Sequence, residues 1–409
     1  MVDGDLVAAC EEERFSRVKH AKPALVDNPQ ELPENAIRFC LDFAGLKAQD
    51  IDCLAYSYSP QMRRSQFRAE WWPDPGLEST FLAHLDKVED AISEAMGRPI
   101  GHALKFVPHH LAHAASVYYP SGFDSAAILV VDGIGESDCS MLAKGEGRRI
   151  ETLETFRFPH SIGFVWEHLS AYLGFSSYDA SKVMGLAAYG DPDVYREKFA
   201  SIVHVFGDSY AVDDAIDFRT FEGEGLHALF GPPRHEGEEI TQRHKDIAAA
   251  LQALTDSAVI ALARRLARLV GGQQLCYSGG VALNCVTNAL IGRMTGFTDL
   301  FISSAPHDAG TAIGAALVAH CAAADAKPTG GANPYLGPEF HKKDILAAIR
   351  AAGLKPRKCK NAAAEAADVI ADGNISRILG GPDGRRGPRC GLRGGAIFAR
   401  QACQASAGR

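Results

Sequence analysis

The chain has 409 residues, 46% of them hydrophobic and 22% charged, which is ordinary globular usage and enough length for two or more lobes, each with a core. A formal charge of -8, with no basic stripe interleaved with aromatics, argues against nucleic acid as a partner. No apolar run approaches the ~20 residues that span a bilayer, no CxxC pair occurs among the ten cysteines, and scattered thiols without a signal peptide fit a reducing cytoplasm.

In chain order, Met1-Val2-Asp3-Gly4-Asp5 reads as a turn, and residues 6–10 read as a strand without an obvious hairpin partner. Residues 32–46 have helical spacing ended by Gly45, Asp52 to Ser57 reads as a strand, and residues 81–96 read as helical again. Then comes Val107-Pro108-His109-His110-Leu111-Ala112-His113. His109 and His113 are four residues apart, so on a helix they share one face and can hold a single metal ion. Pro108 suits the first turn of that helix. The pair alone leaves a second reading open, an ordinary solvated or hydrogen-bonded pair. Residues 126–131 read as a buried strand ending in Asp132-Gly133-Ile134-Gly135-Glu136, and a carboxylate at a strand end beside a Gly-rich turn suits a metal or a phosphate.

Residues 161–173 read as an amphipathic helix closed by Gly174. In the segment that follows, Lys182 near Gly185 either meets a phosphate or caps a helix end. Residues 195–240 are polar and irregular and read as an insertion or linker. Residues 246–270 form a long helix ended by Gly271-Gly272, followed by a short strand, the turn Ser278-Gly279-Gly280 with Asn284 beyond it, a strand at 300–304, and His307-Asp308-Ala309-Gly310. Asp308 is either a helix N-cap or a ligand, and Gly310 and Gly314 serve either anion approach or tight packing. Gly-flanked strand ends at Asp132, Ser278 and Asp308 suggest a nucleotide in a cleft between two lobes. From about Gly380 the sequence loses periodicity and reads as disordered, as a reading-frame shift or truncated gene model would leave it.

At these positions the chain resembles the NodU/CmcH-type O-carbamoyltransferases. The resemblance rests on Glu11 to Arg17 (EEERFSR), His109 to Ser116, Asp132 to Glu136, Lys182 to Ala187, Ser278 to Cys285 and Asp308 to Gly310, and covers residues 2 to about 379. It implies an α/β fold of the duplicated actin/hexokinase-like (ribonuclease H-like) two-lobed ATPase type. The implied domains are a first lobe at 1–150, an insertion and inter-lobe segment at 151–245, a second lobe at 246–360, the start of a lost YrdC-like domain at 361–379, and an aberrant tail at 380–409. It implies a metal, usually iron(II), on His109, His113, Asp132 and Asp308. The family's YrdC-like domain makes carbamoyl-adenylate from carbamoyl phosphate and ATP, and its first domain moves the carbamoyl group to a hydroxyl of a small-molecule acceptor.

The positions read toward the nucleotide are Gly133, Gly135, Lys182, Gly185, Ser278, Gly279, Gly280, Asn284 and Gly310. Lys182 would offset phosphate charge, and His110 is the candidate base for the acceptor hydroxyl. Family acceptors include nodulation factors, cephems, aminoglycosides and macrocycles; no nucleic acid or membrane partner is expected, and a homodimer is compatible with the reading. The chain departs from the family pattern in three places. The strand and His-Asp motif expected before Asp3-Gly4 are absent, the YrdC-like motif is echoed only by Gly387-Pro388-Arg389, and Ala188 stands where a proline is expected. A missing central strand leaves buried backbone groups unpaired at ~1–3 kcal/mol each, against a total stability of ~5–15 kcal/mol. The alternatives are a non-catalytic metal- and nucleotide-binding remnant or a tRNA threonylcarbamoyl-transfer enzyme. The acidic balance and the Glu11 to Arg17 segment favour the small-molecule enzymes, and a sugar kinase of the same superfamily has no need of the histidine pair.

Overall fold

The computed structural model describes residues 1–21, 31–68, 75–100, 103–213, 224–324, 326–328, 331, 333–357 and 360–374. The protein is a mixed α/β structure. Its main sheet has the order β5-β4-β3-β8-β9, formed by β3 (Ser125–Val131), β4 (Asp138–Glu146), β5 (Arg149–Arg157), β8 (Gln274–Ser278) and β9 (Asp299–Phe301). β3, β4 and β5 form an antiparallel meander, and β8 and β9 extend it in parallel from β3. A separate parallel pair joins β1 (Leu54–Tyr56) to β2 (Leu104–Phe106), and β6 (Val203–Phe206) forms a hairpin with β7 (Ser209–Val212).

β3 is the centre of the molecule because its apolar run serves two cores. Ala127, Leu129 and Val131 enter one cluster, with helix Ile162–Tyr172 and the long helix Gln242–Val270. Ala126, Ile128 and Val130 enter the other, with helices His109–Tyr118 and Thr311–Ala324. Strand alternation puts the two sets on opposite faces. The register pairs Val130 with Ser278, so Asp132 and Gly279 follow neighbouring strand ends. Gly279 has φ +97°, and a Cβ there would lie 2.2 Å from the Val131 carbonyl oxygen, so only glycine lets the two strand ends come together. The outer pair of helices also meets backbone to backbone: a Cβ on Gly314 would lie 1.8 Å from the Ala112 carbonyl oxygen. Gly314 therefore serves packing.

Several expectations change. Residues 6–10 are not a strand. Val2 and Asp5 make one isolated bridge, and Ala9 N–H donates to the Leu336 carbonyl (3.2 Å) in place of a ladder, because no strand among the described residues lies alongside. Residues 195–240 are not simply irregular: Ile202, Val203, Tyr210, Val212, Leu226 and Phe230 enter the main core and anchor a hairpin and two short helices there. The helical stretch at 81–96 is two helices, Pro75–Leu85 and Val88–Ala95. The long helix is apolar enough by length and composition to cross a membrane, contrary to the sequence reading, but 78% of its apolar window is buried inside the protein. A division of the chain at residue 150 passes through β5, whose sheet continues into β8 and β9. Residues 375–409, including the tail, lie outside the described residues.

Candidate metal centre

The histidine motif begins a helix whose N-cap position is Pro108, a residue with no side chain able to cap. The cap comes from across the fold. The Glu136 carboxylate, in the loop after β3, accepts the His109 N–H (3.0 and 3.2 Å) and the Ser59 N–H (2.6 Å). Burial raises the Glu136 pKa in spite of these donors. The helix N-terminus and the strand end bearing Asp132 are thus tied to one loop, and the Arg63 guanidinium clamps that loop by donating to the Glu136 carbonyl (2.9 Å).

On this frame His109, His113, Asp132 and Asp308 bring one ligand atom each to within 4.8 Å of one another. The two imidazole Nε2 atoms are 3.2 Å apart, and Asp132 Oδ2 lies 3.2 Å from that of His109 and 3.4 Å from that of His113. Asp308 Oδ1 lies 3.6 and 3.4 Å from the same two nitrogens. Both Nδ1 atoms face the opposite way, toward the Ser57 carbonyl (3.2 Å) and Ser278 Oγ (3.3 Å), which fixes Nε2 as the inward atom of each ring. Asp132 Oδ1 accepts the Gly280 N–H (2.7 Å), leaving Oδ2 for the cluster. Two facing nitrogens with two converging carboxylates form a concentration of lone pairs that protons or a cation must neutralise.

Without a cation, protons do so. Burial disfavours charge on His109, but hydrogen bonds to Asp132 and Asp308 hold its pKa well above the usual value, and Asp132 raises that of His113 against the same burial. Burial likewise opposes charge on Asp132, yet the neighbouring imidazoles keep it well below the carboxylate range. Two imidazoles and two carboxylates suit a borderline divalent metal, which would replace those protons. Three of the four residues are buried, whereas the Asp308 side chain is 74% exposed, so the cluster opens to solvent on that side. Asp308 is not the N-cap: that position is His307, and the carboxylate turns to the imidazoles.

Comparison with known proteins places the chain in a family. Residues 1–317 match the family model described as Carbamoyltransferase N-terminus. The chain belongs to the carbamoyltransferase family. It is 32% identical over 410 residues to the nodulation protein NolNO of Sinorhizobium fredii, an alignment covering 95% of this chain and 55% of that protein. It is 33% identical to the nodulation protein NolO of Bradyrhizobium diazoefficiens (69% of this chain, 51% of that one) and 33% identical to the uncharacterized protein sll1178 of Synechocystis (84% and 59%). The chain spans about half the length of these relatives.

The other positions singled out in this carbamoyltransferase sequence fall into three groups. Gly133, Gly135, Ser278, Gly279 and Gly280 border the cluster; Gly135 lies against the His109 ring, and Ser278 Oγ donates to the Pro306 carbonyl (3.0 Å). His110 is buried with neither ring nitrogen bonded, Nε2 lying 3.9 Å from Asp132 Oδ2, and burial pushes its pKa down to about 3. Asn284 and Gly310 are engaged structurally: Asn284 caps helix Cys285–Met294 and pairs with Gln252 through both ends of its amide, and Gly310 packs where a Cβ would meet the Ala305 carbonyl oxygen at 2.0 Å. Lys182 and Gly185 are exposed, and Lys182 pairs with Asp179 (2.9 Å).

Glu167 was not visible as a site residue in the sequence. It lies on helix Ile162–Tyr172, and its carboxyl is 3.6 Å from where a Gly133 Cβ would be. Burial, reinforced by the charges of Asp132 and Asp308, pushes its pKa up to about 8. Its only sequence signal is a charged residue on a largely apolar helix face.

Proposed function

We propose that this chain is a carbamoyl-transfer domain that passes a carbamoyl group from carbamoyl-adenylate to a hydroxyl of a small-molecule acceptor. The observation that carries the reading is the convergence of His109, His113, Asp132 and Asp308 in a chain of the carbamoyltransferase family. These four residues would hold a divalent metal, iron(II) by resemblance, and a bound metal supplies a Lewis acid that polarises the carbamoyl carbonyl. The order β5-β4-β3-β8-β9, with helices on both faces, supports one lobe of the actin-like type among the described residues, and we place the nucleotide at its strand ends near Gly279 and Gly280.

In the transfer, the acceptor oxygen forms a bond to the carbamoyl carbon, the bond from that carbon to the bridging phosphate oxygen breaks, and adenylate leaves. Ser57 and Ser278 hold the two imidazoles in one tautomer, and Gly280 N–H holds Asp132 in register. Burial holds the Glu167 carboxyl toward its protonated form, in which it can donate to an incoming hydroxyl. Burial keeps the His110 imidazole neutral beside Asp132, the state a base for the acceptor hydroxyl needs, and the proton leaves with the departing phosphate. The free cysteines among the described residues fit a cytoplasmic setting.

The test is direct. Metal-loaded chain is given synthetic carbamoyl-adenylate and hydroxyl acceptors of the oligosaccharide, aminoglycoside and macrocycle classes, and carbamate esters are sought by mass spectrometry. Product that disappears in Asp132→Asn supports the reading. Metal bound with no product on any acceptor assigns the chain to the non-catalytic alternative.

A further inference from the structure

Residues 11–21 form a strap whose backbone is strained. Arg17, His20 and Ala21 have φ of 62°, 56° and 65°, three non-glycine residues in the left-handed region within five positions. Such strain persists only where the surroundings over-determine it. Here they do. Glu13 accepts the His20 N–H (3.0 Å), Lys19 Nζ donates to the Tyr178 carbonyl (2.6 Å) and lies 3.2 Å from Asp179, and the His20 ring stands edge-on to Tyr178 at 4.5 Å. At the other end the Glu12 carboxylate accepts Asn35 Nδ2 (2.6 Å) and the Ala36 N–H (2.8 Å) at the start of helix Glu34–Ala44.

The strap so held presents Glu11 to the loop that carries Asp308. Glu11 is 10% exposed in its side chain, accepts from Arg14 Nη2 (2.9 Å), and has Oε1 3.5 Å from His307 Nε2. His307 sits between Pro306, whose carbonyl accepts Gly279 N–H (2.8 Å) and Ser278 Oγ (3.0 Å), and Asp308 itself. The loop is therefore tied to the sheet on one side and to Glu11 on the other. Asp308 needs the second tie most, because it is the exposed member of the cluster.

We propose that Glu11 is a positioning residue of the metal centre: aligned by Arg14, it holds His307 and with it the loop that aims Asp308 at His109 and His113. The inference rests on the metal reading above. It assigns the acidic run Glu11-Glu12-Glu13 a division of labour, with Glu12 and Glu13 bracing the strap and Glu11 serving the site.

Cobalt(II) titration of the full chain, read by its ligand-field absorption, tests it. Wild type binds cobalt and His109→Ala does not; failure of that first comparison overturns the metal reading and the proposal with it. Given binding, Glu11→Ala weakens it ~10–100-fold and alters the cobalt spectrum. Glu11→Gln restores part of the loss, and Glu11→Ala with His307→Ala is no worse than either alone. Should Glu11→Ala fail to fold, Glu11→Gln and His307→Ala carry the same test. Wild-type affinity and spectrum in these variants, with only the melting temperature lowered, overturns the proposal.

Discussion

The two sides of the candidate centre are built to different standards. On the sheet side, Asp132 and Ser278 end strands whose neighbours are fully buried in two cores, and His113, itself fully buried, lies on a helix locked by Gly314. On the side of residues 1–106, the support is a two-stranded sheet, a cluster of five buried apolar residues (Leu85, Val88, Ile92, Met96 and Ile100), and a strap held by ion pairs and hydrogen bonds. The lesson is that the precise half of the centre is fixed by close packing, whereas the open half, around Asp308, depends on polar ties that cost little to break.

The largest test of that contrast is at Gly314. Gly314→Val would put atoms on the Ala112 carbonyl, and we expect a loss above about 3 kcal/mol with loss of the centre. Ile92→Ala, in the smaller cluster, should cost about 2 kcal/mol and leave metal affinity unchanged, as urea melts and cobalt binding would show. Equal losses of metal in both variants would break the comparison. Next, Asp132→Asn should weaken metal binding by roughly 100-fold or more (~2.7 kcal/mol) and Asp308→Asn by less, because the exposed ligand is replaceable by water.

Glu167 sharpens the contrast by pH. Its pKa is raised from the ordinary 4.5 to about 8. Below 4.5 the folded and unfolded states both hold the proton; between 4.5 and 8 the unfolded chain ionises while the folded one does not, so this group's contribution falls as pH rises through that window. Metal-free Glu167→Gln should therefore gain stability relative to wild type as pH rises from 4.5 to about 8.5, with the difference vanishing toward pH 4.5. A constant difference across the range would contradict the assignment. The smallest effect is expected at Lys182: Lys182→Ala breaks only an exposed pair with Asp179, should change stability by less than about 0.5 kcal/mol, and should leave cobalt binding as it was.

What the sequence disclosed follows the reach of its signals. The i and i+4 spacing of His109 and His113, and the buried run ending at Asp132, are local patterns, and the structure keeps both. Asp308 is ambiguous locally, since an Asp before a helix reads equally well as a cap; its contact with imidazoles about two hundred residues away leaves no local trace in the sequence. Glu136 capping the histidine helix, Ser57 orienting His109, and Glu11 reaching His307 are likewise long-range pairings with no periodic trace. Lys182 suits a phosphate in sequence, and in the structure its exposed ammonium pairs with Asp179. Residues 195–240 mislead because polar composition hides the few apolar side chains that anchor them.

The central claim is that four side chains from separate parts of the chain hold one divalent metal. The most direct measurement is the metal content of purified protein after anaerobic reconstitution with iron(II), beside His113→Ala. The account predicts one ion per folded wild-type chain and none in the variant. A wild-type chain that is folded by circular dichroism and melts cooperatively, yet retains no metal, would contradict it.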